Sequence, residues 1–89
     1  MLDKNITIVN KLGLHARAAA KLVTLASSFA SDIKLARNGQ EVNGKSIMGV
    51  MMLAASKGTE IRLIADGDDE HEAIRKLTEL IENRFGEEE

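Results

Sequence analysis

Cysteine, proline, tryptophan and tyrosine are missing from these 89 residues, and phenylalanine occurs only twice. Without cysteine there is no disulfide framework and no thiolate chemistry. With so few aromatics, the core has to be assembled from Leu, Ile, Val, Ala and Met. Strong net charge is missing as well. At −2 the chain lacks the clustered Lys and Arg that neutralise phosphates, which argues against broad nucleic-acid binding. No apolar run has the length of a membrane span. The first residues, Met1-Leu2-Asp3-Lys4-Asn5, carry an early acid and no apolar signal core, so the expected address is the cytoplasm, without membrane insertion. Two histidines and no cysteine make a poor metal site, and nothing calls for a cofactor. His71, among Asp68, Asp69, Glu70 and Glu72, reads as a solvated residue.

What is present reads as one domain spanning residues 1–89. Hydrophobic residues make up 44% of the chain, enough for one modest core. Ile6-Thr7-Ile8-Val9 is β-branched throughout and predicts a first strand, with Ile6 and Ile8 on one face. Residues 10–14 break that pattern. From Ala16 to about Ala30 apolar residues recur at helical spacing, at Ala19, Leu22, Val23, Ala26 and Phe29 or Ala30. Ile33 to Ala36 and Gln40 to Asn43 flank Asn38-Gly39, a strong hairpin signal. Ser46 is a plausible helix cap before Ile47–Ala55, with Gly58 suited to a left-handed helix end. Thr59 to Ala65 alternates as a fourth strand. Asp68, Asp69 and Glu70 predict caps and favourable charge for a last helix, whose stripe is Ala73, Ile74, Leu77, Leu80, Ile81 and Phe85. The tail Glu87-Glu88-Glu89 reads as a solvated end, and Lys45 and Arg62 as surface charges. The order β-α-β-β-α-β-α suits an α+β fold, an antiparallel sheet covered on one face. Strand order stays open, and a ferredoxin-like arrangement also fits.

The chemistry gathers at Gly13-Leu14-His15-Ala16-Arg17. His15 stands where a loop enters an Ala-rich helix. A helix start offers unpaired amides and partial positive charge, so it binds anions and opposes a second proton on the ring. Neutral imidazole is the nucleophilic form. The backbone amides of Ala16 and Arg17 could then bind a phosphoryl group on His15, and the Arg17 guanidinium could add charge-assisted bonds. A bare His-x-Arg is more often a loop histidine beside a solvated charge; the helix-start setting and the lack of competing chemistry favour the functional reading.

Lys11-Leu12-Gly13-Leu14-His15-Ala16-Arg17 resembles the active-site segment of HPr, the histidine phosphocarrier family of the bacterial phosphotransferase system. Val42 to Met51 resembles that family's second signature, and Leu53 to Gly58 also fits. The resemblance implies an open-faced β-sandwich with four antiparallel strands in order 1-4-2-3 and three helices on one face. It implies a monomeric carrier, not an enzyme. His15 accepts a phosphoryl group through its δ nitrogen from phosphorylated enzyme I and yields it to a histidine of an enzyme IIA domain, as in sugar transport. The family usually has proline after Arg17, where this chain has Ala18. Proline in a first helical turn pre-sets φ, so Ala18 loosens that turn while leaving nucleophile and phosphate ligands in place.

Ser46 is a second candidate. In some family members the matching serine is phosphorylated by a kinase/phosphatase that regulates carbon catabolism; as physics alone it is a helix cap. Ile47, Met48 and Met51, with Ala20 and Lys21, are the expected docking residues, and Met52 the expected core methionine. A regulatory interaction module switched at Ser46, without phosphorelay, is the alternative function. An acyl-carrier domain would need an Asp-Ser-Leu attachment motif and an all-helical pattern, and neither is present.

Overall fold

In the computed structural model, which describes residues 1–88, cross-strand pairing sets the frame. The strands are β1 (Leu2–Thr7), β2 (Asp32–Arg37), β3 (Gln40–Asn43) and β4 (Glu60–Asp66). They form an antiparallel sheet in the order β1-β4-β2-β3. With β4 seated between β1 and β2, the open-faced sandwich holds and the ferredoxin-like alternative does not. Successive side chains in a strand point to opposite faces. Ile6, Ile33, Leu35, Ile61, Leu63 and Ala65 therefore share the covered face, and all are buried. The covering layer is α1 (Ala16–Ser27), α2 (Ile47–Met52) and α3 (Glu70–Glu82). These helices contribute Ala18, Ala19, Leu22, Ala26, Val50, Ala73, Leu77 and Ile81 to the same core. Among the described residues no helix is long and apolar enough to cross a membrane.

Several boundaries differ from expectation, each for a local reason. β1 starts at Leu2 because Leu2–Asn5 ladder onto β4 despite the polar side chains of Asp3, Lys4 and Asn5. Ile8 lies past that ladder, yet its amide still reaches the Thr59 carbonyl at 2.9 Å and its carbonyl the Gly58 amide at 2.7 Å. α1 stops at Ser27, short of Ala30, because polar groups beyond it are satisfied elsewhere. The Ser28 hydroxyl donates to the Leu25 carbonyl at 2.6 Å. The Lys45 ammonium donates to the Phe29 carbonyl at 2.8 Å, so Lys45 is half-buried and bonded, not a free surface charge. The Asp69 carboxylate accepts the amides of Ala30 and Ser31 at 2.8 and 2.9 Å. Asp69 therefore ties the α1–β2 connection down and makes no side-chain cap for its own helix.

α2 ends three residues early. Ala54 takes a left-handed conformation (φ 51°), and the Arg37 guanidinium caps the freed carbonyls of Leu53 and Ala54 at 2.8 and 3.1 Å. Gly58 does have positive φ, but it serves the turn beside Ile8 and not the helix end. The six-residue helix has room for one inward position, Val50, with Leu53 just after it. Met52 points the other way and is 64% exposed, which corrects its assignment to the core. Phe85 is buried as expected, but not as part of the α3 stripe. α3 ends at Glu82, and left-handed backbone at Arg84 and Phe85 folds the chain back.

Candidate functional site

Gly13 sets the entry to the site. It has φ 67°, a conformation that L side chains avoid. A Cβ there would lie 2.5 Å from the Ala55 carbonyl oxygen and 2.8 Å from Ser56 Cα. The Gly13 amide bonds Asn10 O at 3.2 Å and the Leu14 amide bonds Ala55 O at 2.9 Å. The loop is thus pressed onto the segment that follows α2, with Leu14 buried beneath it. His15 comes next as the N-cap of α1, with extended backbone (φ −71°, ψ 175°) and its carbonyl accepting the Ala19 amide at 2.8 Å.

The His15 side chain does not cap the helix. Its Nε2 lies 2.5 Å from the Glu87 carboxylate, and the ring is 27% exposed. A carboxylate only accepts, so the ring nitrogen in this contact carries the proton. In the neutral ring the lone pair then resides on Nδ1, which has no hydrogen-bond partner among the described residues. The second Glu87 oxygen accepts from the Asn10 side-chain amide at 3.1 Å, and the same amide group donates to Gly13 O at 2.8 Å. The His15 ring N–H first, and the Asn10 amide next, hold the Glu87 carboxyl below the usual carboxylate range, against the opposing cost of burial.

The amides of Ala16, Arg17 and Ala18 have no acceptor among the described residues, as expected for a first helical turn. The Arg17 side chain is exposed and likewise makes no bond among the described residues. Lys11, Leu12, His15, Ala16, Arg17, Glu87 and Glu88 line one open cleft. An anion entering it would meet three free amides, a helix start and a guanidinium.

Other expected site residues have mixed settings. Ile47, Met48 and Met51 are exposed (44%, 75% and 41%), Ala20 is half-buried, and Lys21 lies on the surface. The Lys21 ammonium, expected to be free for partners, donates to the Phe85 carbonyl at 2.7 Å. Ser46 caps α2, its hydroxyl accepting the Gly49 amide at 3.1 Å. Three residues escaped the sequence reading. Leu12 is an exposed apolar side chain in the cleft. Asn10 is fully buried in a segment read only as a pattern break. Glu87 was assigned to a solvated tail, and instead its side chain is 18% exposed and paired with His15; Glu89 lies outside the described residues. No periodicity marks a contact 72 positions apart.

Comparison with known proteins finds relatives over nearly the whole chain. A family model described as the PTS HPr component phosphorylation site matches residues 2–83. A phosphocarrier protein HPr of Xylella fastidiosa is 61% identical over 87 residues, covering 98% of either chain. The crystal structure of an HPr from Thermoanaerobacter tengcongensis superposes with a TM-score of 0.96 at 52% identity, over 100% of both chains. A dimeric HPr structure from the same organism matches with a TM-score of 0.79, also at 52% identity, over 98% of this chain and 100% of that one.

Proposed function

The chain belongs to the HPr family of phosphocarriers of the phosphotransferase system, and from that premise we propose that His15 is its phosphoryl-carrying residue, charged by phosphorylated enzyme I and discharged to a histidine of an enzyme IIA domain. The observation that carries this reading is the engagement of His15 Nε2 by Glu87. It leaves a lone pair on Nδ1 of a ring that lines the same cleft as Ala16 and Arg17, whose amides are open. In the transfer, that lone pair attacks phosphorus. The P–N bond to the donor's imidazole breaks and its electron pair returns to the donor ring. Phosphoryl oxygens at Nδ1 would be met by the amides of Ala16 and Arg17 and by the Arg17 guanidinium. Such preset donors stabilise developing charge without reorganising.

Ile47, Met48 and Met51, with Ala20, Lys21 and Leu12, form the surface we assign to partner docking. The exposed methionines suit partners of differing shape. The protein acts as a cytoplasmic monomer in this reading, a carrier and not a catalyst. Ser46 is its regulatory position: a phosphate there would sit at a helix start next to the Gly49 amide and place charge beside Ile47 and Met48. Reconstitution with enzyme I, phosphoenolpyruvate and an enzyme IIA domain tests the relay. Phosphate should appear on this chain and then on enzyme IIA, and Arg17→Ala should slow both steps. A chain that takes no phosphate but binds partners according to the state of Ser46 would favour the regulatory module instead.

A further inference from the structure

Residues 84–87 are fastened down by bonds that a solvated tail would not make. Phe85 is buried in the core. Arg84 and Phe85 both adopt positive φ (55° and 54°), a costly backbone for residues with side chains, which persists where surrounding structure enforces it. The Lys21 ammonium holds the Phe85 carbonyl at 2.7 Å, and the Glu87 amide bonds Arg84 O at 2.9 Å. The result delivers one carboxylate to the ring of His15. One oxygen meets Nε2; the other is held by Asn10, whose amide also grips the carbonyl of Gly13, two residues before His15. A single buried side chain thus ties the loop that carries the histidine to the carboxylate that faces it. Glu87 lies outside the residues 2–83 matched by the family model.

We propose that Glu87 is a positioning residue for phosphoryl transfer: it holds the Nε2–H of His15 so that Nδ1 faces the donor, and it stabilises the charge that develops on the ring. The proposal rests on His15 being the phosphoryl acceptor. The charge follows from the chemistry. A neutral ring with its proton on Nε2 attacks through Nδ1, so the product, phosphorylated on Nδ1 and still protonated on Nε2, is an imidazolium. An ionised carboxylate on that N–H favours the product ring and the transition state that precedes it, as a buried carboxylate does for other catalytic histidines. Removing a charge-assisted hydrogen bond of this kind slows the step roughly tenfold.

The experiment compares the full-length wild type with Glu87→Ala, Glu87→Gln and, as a charge-matched control, Glu82→Gln on the exposed end of α3. Single-turnover phosphorylation by excess phosphorylated enzyme I is followed with time, alongside ring 1H–15N spectra of His15 and thermal unfolding. Glu87→Ala should be roughly tenfold slower at saturating donor, with unaltered donor affinity, unfolding within a few degrees of wild type and loss of the hydrogen-bonded Nε2–H signal. Glu87→Gln keeps an acceptor without the charge and should fall between Glu87→Ala and wild type. Glu82→Gln should match wild type. In His15→Ala the Glu87 carboxyl should titrate closer to the ordinary carboxylate range. A wild-type rate in Glu87→Ala overturns the proposal while leaving His15 as the acceptor, and so does a loss that tracks unfolding or donor affinity alone. A wild-type chain that takes no phosphate overturns both readings.

Discussion

Replacing Gly13 by alanine tests whether the loop is built to aim His15. Two costs can be separated. The left-handed backbone at φ 67° costs an alanine about 1–2 kcal/mol. The added Cβ also meets backbone atoms, Ala55 O at 2.5 Å and Ser56 Cα at 2.8 Å, which cannot rotate away as a side chain can. Overpacking of this kind adds about 1–3 kcal/mol, for a total of about 2–5 kcal/mol. Gly39 supplies the internal reference: it has φ 81°, but a Cβ there meets nothing within 4 Å. Gly39→Ala should therefore cost only the backbone part, about 1–2 kcal/mol. Urea unfolding of both variants gives the difference directly. The same Gly13→Ala protein, assayed where it is fully folded, should accept phosphate more slowly, because relief of the clash pushes the loop away from Ala55 and Ser56 and moves His15 with it. If Gly13→Ala costs no more than Gly39→Ala, the close approach does not hold the loop and the reasoning fails.

Further perturbations follow at three positions. Ser46→Ala removes the acceptor for the Gly49 amide and should cost about 1 kcal/mol in urea unfolding. Ser46→Asp should retain stability, yet raise the Michaelis constant of enzyme I for the carrier; an unchanged constant would return Ser46 to a plain cap. Ala18→Pro should be tolerated within about 1 kcal/mol, because the Ala18 amide has no acceptor among the described residues; a larger loss would show that the fully buried Ala18 has no room for the ring. The Ser31 hydroxyl, then the Ala30 and Ser31 amides, hold the Asp69 carboxyl below its ordinary range. A carboxyl depressed in the folded state stabilises above its unfolded pKa and loses that stabilisation as pH falls through its folded one. Asp69→Asn should therefore flatten the acid limb of a stability–pH curve, and an acid limb of wild-type slope would show that Asp69 does not contribute to it.

The parts of this molecule that were legible in its sequence are those governed by local chemistry. Alternation marked β2 and β4, Asn38-Gly39 marked the hairpin, and a serine ahead of an apolar run marked the start of α2. His15 at the mouth of an Ala-rich helix was legible for the same reason, since helix ends announce themselves within a few residues. Strand order came through likeness to a family, because element order left two arrangements open. Met52 was misplaced because six helical residues make too few turns to define a buried stripe. Glu87 was missed because an acidic end reads the same whether water or a histidine faces it. Its placement depends on Phe85, Lys21 and Asn10, which lie far apart in the chain and meet only once the sheet and helices are assembled.

The central claim is that one ring nitrogen of His15 carries the phosphoryl group. The most direct measurement incubates the protein with enzyme I and phosphoenolpyruvate and locates the bound phosphate by 31P and 15N spectra of the labelled histidine. The account predicts acid-labile phosphate on Nδ1 of His15, none on His71, and none at all on a His15→Ala protein that unfolds within about 1 kcal/mol of wild type, as a partly exposed side chain outside the core should. Phosphate on Nε2, or on any residue of the His15→Ala protein, would contradict it.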